Sequence, residues 1–139
     1  EIEMTTAFLG NLVKAGMWKG LADLLVNSPS FATPAFTLKT ATVAAAGTNQ
    51  ATAAALTAST AHLVTGADDT KGVVLPAAAP GTWVIIKVGD GADLKVYPAS
   101  GDKINALSTD AALTVVDDVS FLMWALNSEQ WYTMPLLPS

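Results

Sequence analysis

At 139 residues the chain is about one domain long, enough for one modest hydrophobic core. It is 51 % hydrophobic and only 14 % charged, against roughly 45–50 % and 25 % in an ordinary globular domain; much of the excess is alanine, which leaves weakly polar surface for another chain to cover. Its seven cationic side chains are all lysine, set against twelve carboxylates for a net charge of −5, and it has no cysteine, so a basic nucleic-acid stripe, attraction to anionic lipid, disulfides and zinc–thiolate chemistry are all excluded.

The first thirty-four residues read as a helical arm. Thr5 or Thr6 can cap it, and Phe8, Leu9, Leu12, Val13, Met17, Leu21, Leu24 and Leu25 recur at three- and four-residue steps. Gly10, Gly16 and Gly20 each weaken a helix by roughly 1 kcal/mol relative to Ala, which points to close packing or a break. Asn27-Ser-Pro29 ends the pattern. Gly16 and Gly20 match a Gly-x-x-x-Gly spacing, but Lys14, Lys19 and Asp23 argue against burial in lipid, and no uncharged apolar run reaches membrane-spanning length.

Residues 35–139 carry an all-β signature: short segments rich in Val, Ile, Thr and aromatics, separated by Gly, Asp, Asn and Pro. Ala35–Val43 alternates, Gly47–Gln50 is a turn, and the Ala/Thr-rich run Ala51–Ala61 is assigned to strand. Strands follow at His62–Thr65, Gly72–Leu75 and Thr82–Val88, the last predicted to pair over Trp83–Val88 with Leu94–Tyr97 across Gly89-Asp-Gly91. Lys103–Leu107 and Ala112–Val116 are short strands, and Val119–Leu126 pairs with Gln130–Met134. The fold expected is therefore an antiparallel β-sandwich or barrel-like meander with an N-terminal helical arm. In Trp83–Val88 and Val119–Leu126 both faces are apolar, so each needs cover on two sides: a second sheet, the arm or another subunit.

Little in the sequence carries catalytic chemistry. His62 is the only histidine; Asp68, Asp69, Ser59 and Ser100 are available to it, but no Gly-x-Ser-x-Gly elbow accompanies them. Carboxylates at Asp68-Asp69, Asp90, Asp93, Asp102 and Asp117-Asp118 all adjoin turn formers, and Gly89-Asp-Gly-Ala-Asp93 lacks the acidic spacing of a calcium loop. Gly81, Gly89 and Gly91 make no phosphate cradle. The expectation is a non-enzymatic chain with no metal and no cofactor. The aromatic residues Trp83, Tyr97, Phe121, Trp124, Trp131 and Tyr132 fit a small β core and an interface, or else platforms for sugar rings.

The stretch Lys71-Gly-Val-Val-Leu-Pro-Ala-Ala-Ala-Pro-Gly-Thr-Trp-Val-Ile-Ile-Lys-Val-Gly89, followed by Leu94–Leu107 and the closing Gln130-Trp-Tyr-Thr133, resembles a β module of tailed-phage structural proteins. Thr42–Thr57 fits as well, so the resemblance covers about residues 36–134. It implies a β-rich fold, a homotrimer and a virion location, in a capsid decoration (cement) protein, a head fibre or a tail fibre. It implies no catalytic residues. Taken with the apolar pattern, it makes the expected function capsid decoration, with the major capsid protein or another virion protein as partner and neither nucleic acid nor membrane. Capsid contact is expected of Phe8, Leu12, Met17, Trp18 and Leu21, and subunit contact of Trp83, Ile85, Trp124 and Trp131. The alternative is a tail- or head-fibre module that binds a receptor or glycan.

Overall fold

A computed structural model of the chain describes residues 37–89 and 91–138. The helical arm assigned to residues 1–34 lies outside the described residues. Those described form ten strands and no helix. The strands are β1 (Thr40–Ala44), β2 (Ala54–Ala55), β3 (Thr60–Thr65), β4 (Gly72–Val74) and β5 (Trp83–Val88), then β6 (Leu94–Tyr97), β7 (Lys103–Ile104), β8 (Leu113–Val115), β9 (Ser120–Ala125) and β10 (Gln130–Met134).

They build two facing sheets, one in the order β1-β3-β5-β9-β10-β7 and the other β2-β4-β6-β8. Up to β6 the chain winds as a solenoid, each turn placing one strand in each sheet. In the first sheet Thr40 pairs with Ala61 and Ala61 with Ile85, steps of 21 and 24 residues, both parallel. In the second, Ala54 pairs with Val73 and Val73 with Val96, steps of 19 and 23, again parallel. The winding then stops: β8 pairs antiparallel with β6, β9 with β5 and β10 with β9, while β7 lies parallel beside β10.

The all-β class thus stands, but the antiparallel meander is corrected over its first half. Trp83–Val88 and Leu94–Tyr97 are not a hairpin; they lie in opposite sheets. The reason is visible at β5, whose two edges are occupied by β3 and β9. Val88 and Leu94, on either side of the turn, are both fully buried between the sheets. A strand apolar on both faces is typical of parallel pairing. The run 51–61 is also not one strand. Asn49 accepts from the backbone N–H of Thr52 and Ala53 in a turn, β2 spans two residues, and β3 begins at Thr60. The hairpin between β9 and β10 forms as expected, with Trp131 opposite Ala125 and Thr133 opposite Met123.

The core fills the space between the sheets. From the first sheet come Val64, Val84, Ile86, Val88, Phe121, Met123, Ala125, Trp131 and Ile104; from the second, Val73, Leu94, Val96, Leu113 and Val115. Burying each of the large ones is worth about 1.5–3 kcal/mol. Two sets of polar groups inside this core are bonded to one another. The Asn105 side-chain N–H donates to Thr133 Oγ1 at 2.9 Å, and its oxygen accepts from the Thr133 backbone N–H at 3.0 Å. Thr133 Oγ1 also accepts from the Leu137 N–H at 2.9 Å, so the segment after β10 is pinned across the end of β7. The buried Asp102 carboxylate accepts from the Ala78 N–H at 2.7 Å and joins two loops.

A candidate interaction face

The two sheets differ on the sides they turn away from the core. On the second sheet, Lys95 donates to Thr114 Oγ1 at 2.7 Å and Tyr97 Oη donates to the Thr48 carbonyl at 3.0 Å. The Tyr97 ring lies over Gly72, where a Cβ would sit 2.7 Å from Tyr97 Cε2 and 2.6 Å from the Lys95 carbonyl oxygen. Ala55 and Val74 share the outer row with Tyr97, so this surface combines short apolar side chains with polar ones bonded to their own sheet and loops.

The first sheet is different. Because paired residues share a face, its register lines up outward side chains in rows across five strands. One row runs Thr40, Ala61, Ile85, Leu122, Met134. A second is aromatic: Trp83 opposite Trp124, and Trp124 opposite Tyr132. The third runs Thr42, Leu63, Lys87, Ser120. Leu63 is 43 % exposed and Met134 51 %, while Trp83, Ile85, Leu122, Trp124 and Tyr132 are half-buried. The Trp124 indole N–H is shut off from solvent without an acceptor. Lys87 carries the only charge in the three rows, and Asp118 neutralises it through both its carboxylate and its backbone oxygen. That ion pair holds the Asp118 carboxyl below the usual carboxylate range.

Near β1 the face dips into an open trough of about 330 Å³ lined by Thr40, Thr42, Ala61, Leu63, Ile85 and Lys87 among others. The short side chains of β1 and of Ala61 leave this space beside the larger Ile85. Past β10 the chain leaves this face: Leu136, 76 % exposed, lies beside Asn105 and Ala106, and Pro138 lies beside Thr114 of the second sheet.

Of the residues expected at a subunit contact, Trp83, Ile85 and Trp124 lie on this face. Trp131 does not: it is fully buried in the core, because neighbours in a strand point to opposite sides and Tyr132 takes the outward position. Phe8, Leu12, Met17, Trp18 and Leu21 lie outside the described residues. Leu122 and Met134 were not singled out by sequence, although the two-residue period from Trp124 and Tyr132 points to both.

The candidate catalytic groups do not assemble. His62 is buried, and its Nε2 lies 3.0 Å from the Thr57 carbonyl oxygen and 3.2 Å from the Thr57 nitrogen. One ring nitrogen satisfies only one of these at a time, and Nδ1 has no partner. Asp68 accepts from Thr70 Oγ1 at 2.8 Å, from the Lys71 N–H at 2.9 Å and from Lys71 Nζ at 2.9 Å. These bonds, that to the Lys71 side chain first, hold its carboxyl well below the usual range. Asp69 accepts from the Asp93 N–H at 2.9 Å, joining two successive turns of the solenoid. The carboxylates thus serve turns. Among the described residues no group of three or more His, Cys, Asp or Glu could hold a metal ion, and no helix is long and apolar enough to cross a membrane. No protein-family model matches the chain, and no curated protein matches it.

Proposed function

We propose that the chain is a non-enzymatic structural subunit of a phage virion, a capsid decoration protein that associates with copies of itself as a homotrimer and stabilises the capsid surface. The observation that carries the self-association is the outer face of the first sheet, where Trp83, Ile85, Leu122, Trp124, Tyr132 and Met134 lie together, while the large polar groups of the second sheet, Lys95 and Tyr97, are bonded within the chain. An apolar face this continuous is characteristic of surfaces that another protein covers. The phage setting rests on the sequence resemblance, and capsid contact is assigned from sequence alone to Phe8, Leu12, Met17, Trp18 and Leu21. Many weak contacts presented by an oligomer add up to firm attachment without any single tight site.

Mass determination in solution tests the association: the full chain is expected as an oligomer, and Trp124→Glu as smaller species. A monodisperse monomer at micromolar concentration would sink the proposal. A tail- or head-fibre module that binds glycan is the second reading, favoured by the Trp83–Trp124–Tyr132 row, since sugar rings stack on such platforms. Reproducible glycan-array binding lost in Tyr132→Ala would put that reading first.

A further inference from the structure

Among the described residues the solenoid begins at an unpaired strand edge: β1 has one neighbour, β3, on one side only. At the two ends of that ladder the Lys39 carbonyl accepts from the Ala61 N–H, and the Ala45 N–H donates to the Thr65 carbonyl. The odd-numbered residues therefore turn their backbone groups towards β3. Because alternate residues of a strand bond to opposite sides, the N–H and C=O groups of Thr40, Thr42 and Ala44 point to the free edge.

Strand edges are ordinarily blunted by charge, proline or a bulge. None of these interrupts β1: residues 40–67 contain no Asp, Glu, Lys, Arg or Pro, and the register with β3 is unbroken from Thr40 to Ala44. Such an edge meets a second copy of itself without like-charge repulsion, while it offers a charged partner nothing to pair with. An antiparallel arrangement with Thr42 on the twofold axis uses every free group: Thr42 faces Thr42, and Thr40 faces Ala44, with two backbone bonds in each pair. The nearest charge, Lys39, then falls opposite Ala45 of the second copy, about 20 Å from its own counterpart. On the inner side Ala41 falls opposite Val43. Both are half-buried and Val43 packs against the core, so the pairing covers apolar surface that each copy leaves in water.

We propose that β1 of one copy pairs antiparallel with β1 of a second copy about Thr42, joining their first sheets into one continuous sheet. The seam runs along the strand edge and not over the outer face, so it does not rest on the outer-face association proposed above and can link assemblies built through that face.

The absence of cysteine makes the register testable. Hydrogen-bonded antiparallel partners have Cα atoms about 5.5 Å apart, within disulfide reach. Full-length Thr42→Cys, at an exposed position, is expected to form a disulfide-linked dimer on mild oxidation. Thr40→Cys and Ala44→Cys, mixed in equal amounts, are expected to give the heterodimer in clear excess over both homodimers combined. No Thr42 cross-link, as when the edge is covered from within the same chain or by a different protein, or no excess of heterodimer, would overturn the pairing. Trp124→Glu, which disables the outer face, separates the two contacts. In that background the Thr42→Cys cross-link is expected to persist, and its loss would overturn the edge contact. There too Thr42→Lys, which sets like charges face to face across the seam, is expected to weaken association at least tenfold by sedimentation; an unchanged Kd would equally overturn it. A Trp124→Glu protein as large as the wild type would remove the outer-face reading and leave the edge contact standing on its cross-link.

Discussion

Ile85 and Ile86 are adjacent, chemically identical and point to opposite sides of β5, so truncating each in turn separates core from face. Ile86 is fully buried, flanked by His62 on β3 and Phe121 on β9. Ile86→Ala removes its transfer free energy and leaves a cavity, a loss of about 2–5 kcal/mol. A domain of this size is stable by only about 5–15 kcal/mol, and each kcal/mol moves its Tm by roughly 4–8 °C, so a fall of about 10 °C or more is expected. Ile85 is half-buried on the outer face, and Ile85→Ala should cost at most about 1 kcal/mol in dilute, dissociated protein. The assay is thermal unfolding by circular dichroism over a hundredfold range of protein concentration. Ile86→Ala should lower Tm equally at every concentration, whereas Ile85→Ala should lower it mainly where the wild type is associated. Equal losses for both variants in the most dilute sample would refute the division of β5 into a core side and an interaction side.

Three further outcomes follow from the geometry. Asn105→Ala removes the side-chain bonds to Thr133 and leaves its buried N–H unpaired, at a position whose φ of 49° suits Asn better than Ala; a loss of about 2–4 kcal/mol in denaturant unfolding is expected. Gly72→Ala places a methyl 2.6 Å from the Lys95 carbonyl oxygen and displaces the Tyr97 ring, for about 1–3 kcal/mol and increased tyrosine exposure by fluorescence. Asp68, Asp110 and Asp118 are all held below the usual carboxylate range, Asp110 first by the Gly101 N–H and then by the Gln50 side chain. Their stabilisation is therefore present above the unfolded-chain value near 3.9 and lost as pH falls through the lower folded values. Tm should decline with acidification over that window, and less steeply in Asp110→Asn.

Where strands lie was legible in the sequence; which strands pair was only partly so. Leu94–Tyr97 was placed to the residue and Thr82–Val88 to within one, because their composition and bounding Gly, Asp and Pro are local signals. The turn Gly89–Gly91 supports either a hairpin or a crossing between sheets, and that choice is made by partners about twenty residues away. The clue that decides it was present: β5 is apolar on both sides, unlike a strand with a solvated face, and similar segments recur at 21- and 24-residue steps. The assignment of run 51–61 to a single strand failed for another reason. Alanine and threonine give weak preferences, and the turn at Asn49–Thr52 and the buried Leu56 divide it. For the candidate site, sequence found Trp83, Ile85 and Trp124, but took Trp131 rather than Tyr132 from an adjacent pair whose sides it could not distinguish.

Parallel winding is what turns these scattered residues into a surface. In a solenoid each turn contributes residues of one parity to the outer side of the same sheet, so Thr40, Ala61 and Ile85, about twenty residues apart in sequence, become neighbours about 5 Å apart. Antiparallel β9 and β10 then extend the row through Leu122 to Met134. Residue size varies along that row from Thr at β1 and Ala at β3 to Ile, Leu and Met at β5, β9 and β10, so the face is low at one side and raised at the other. A face of uniform height would present the same relief at both sides, whereas this graded one offers a low side and a raised side to the self-association proposed above. Exchanging the grade, with Ala61→Leu to fill the trough and Met134→Ala to lower the ridge, should therefore weaken association of either variant alone, measured by sedimentation, without lowering Tm of the dilute protein. Undiminished association in both would show that relief plays no part in how copies meet.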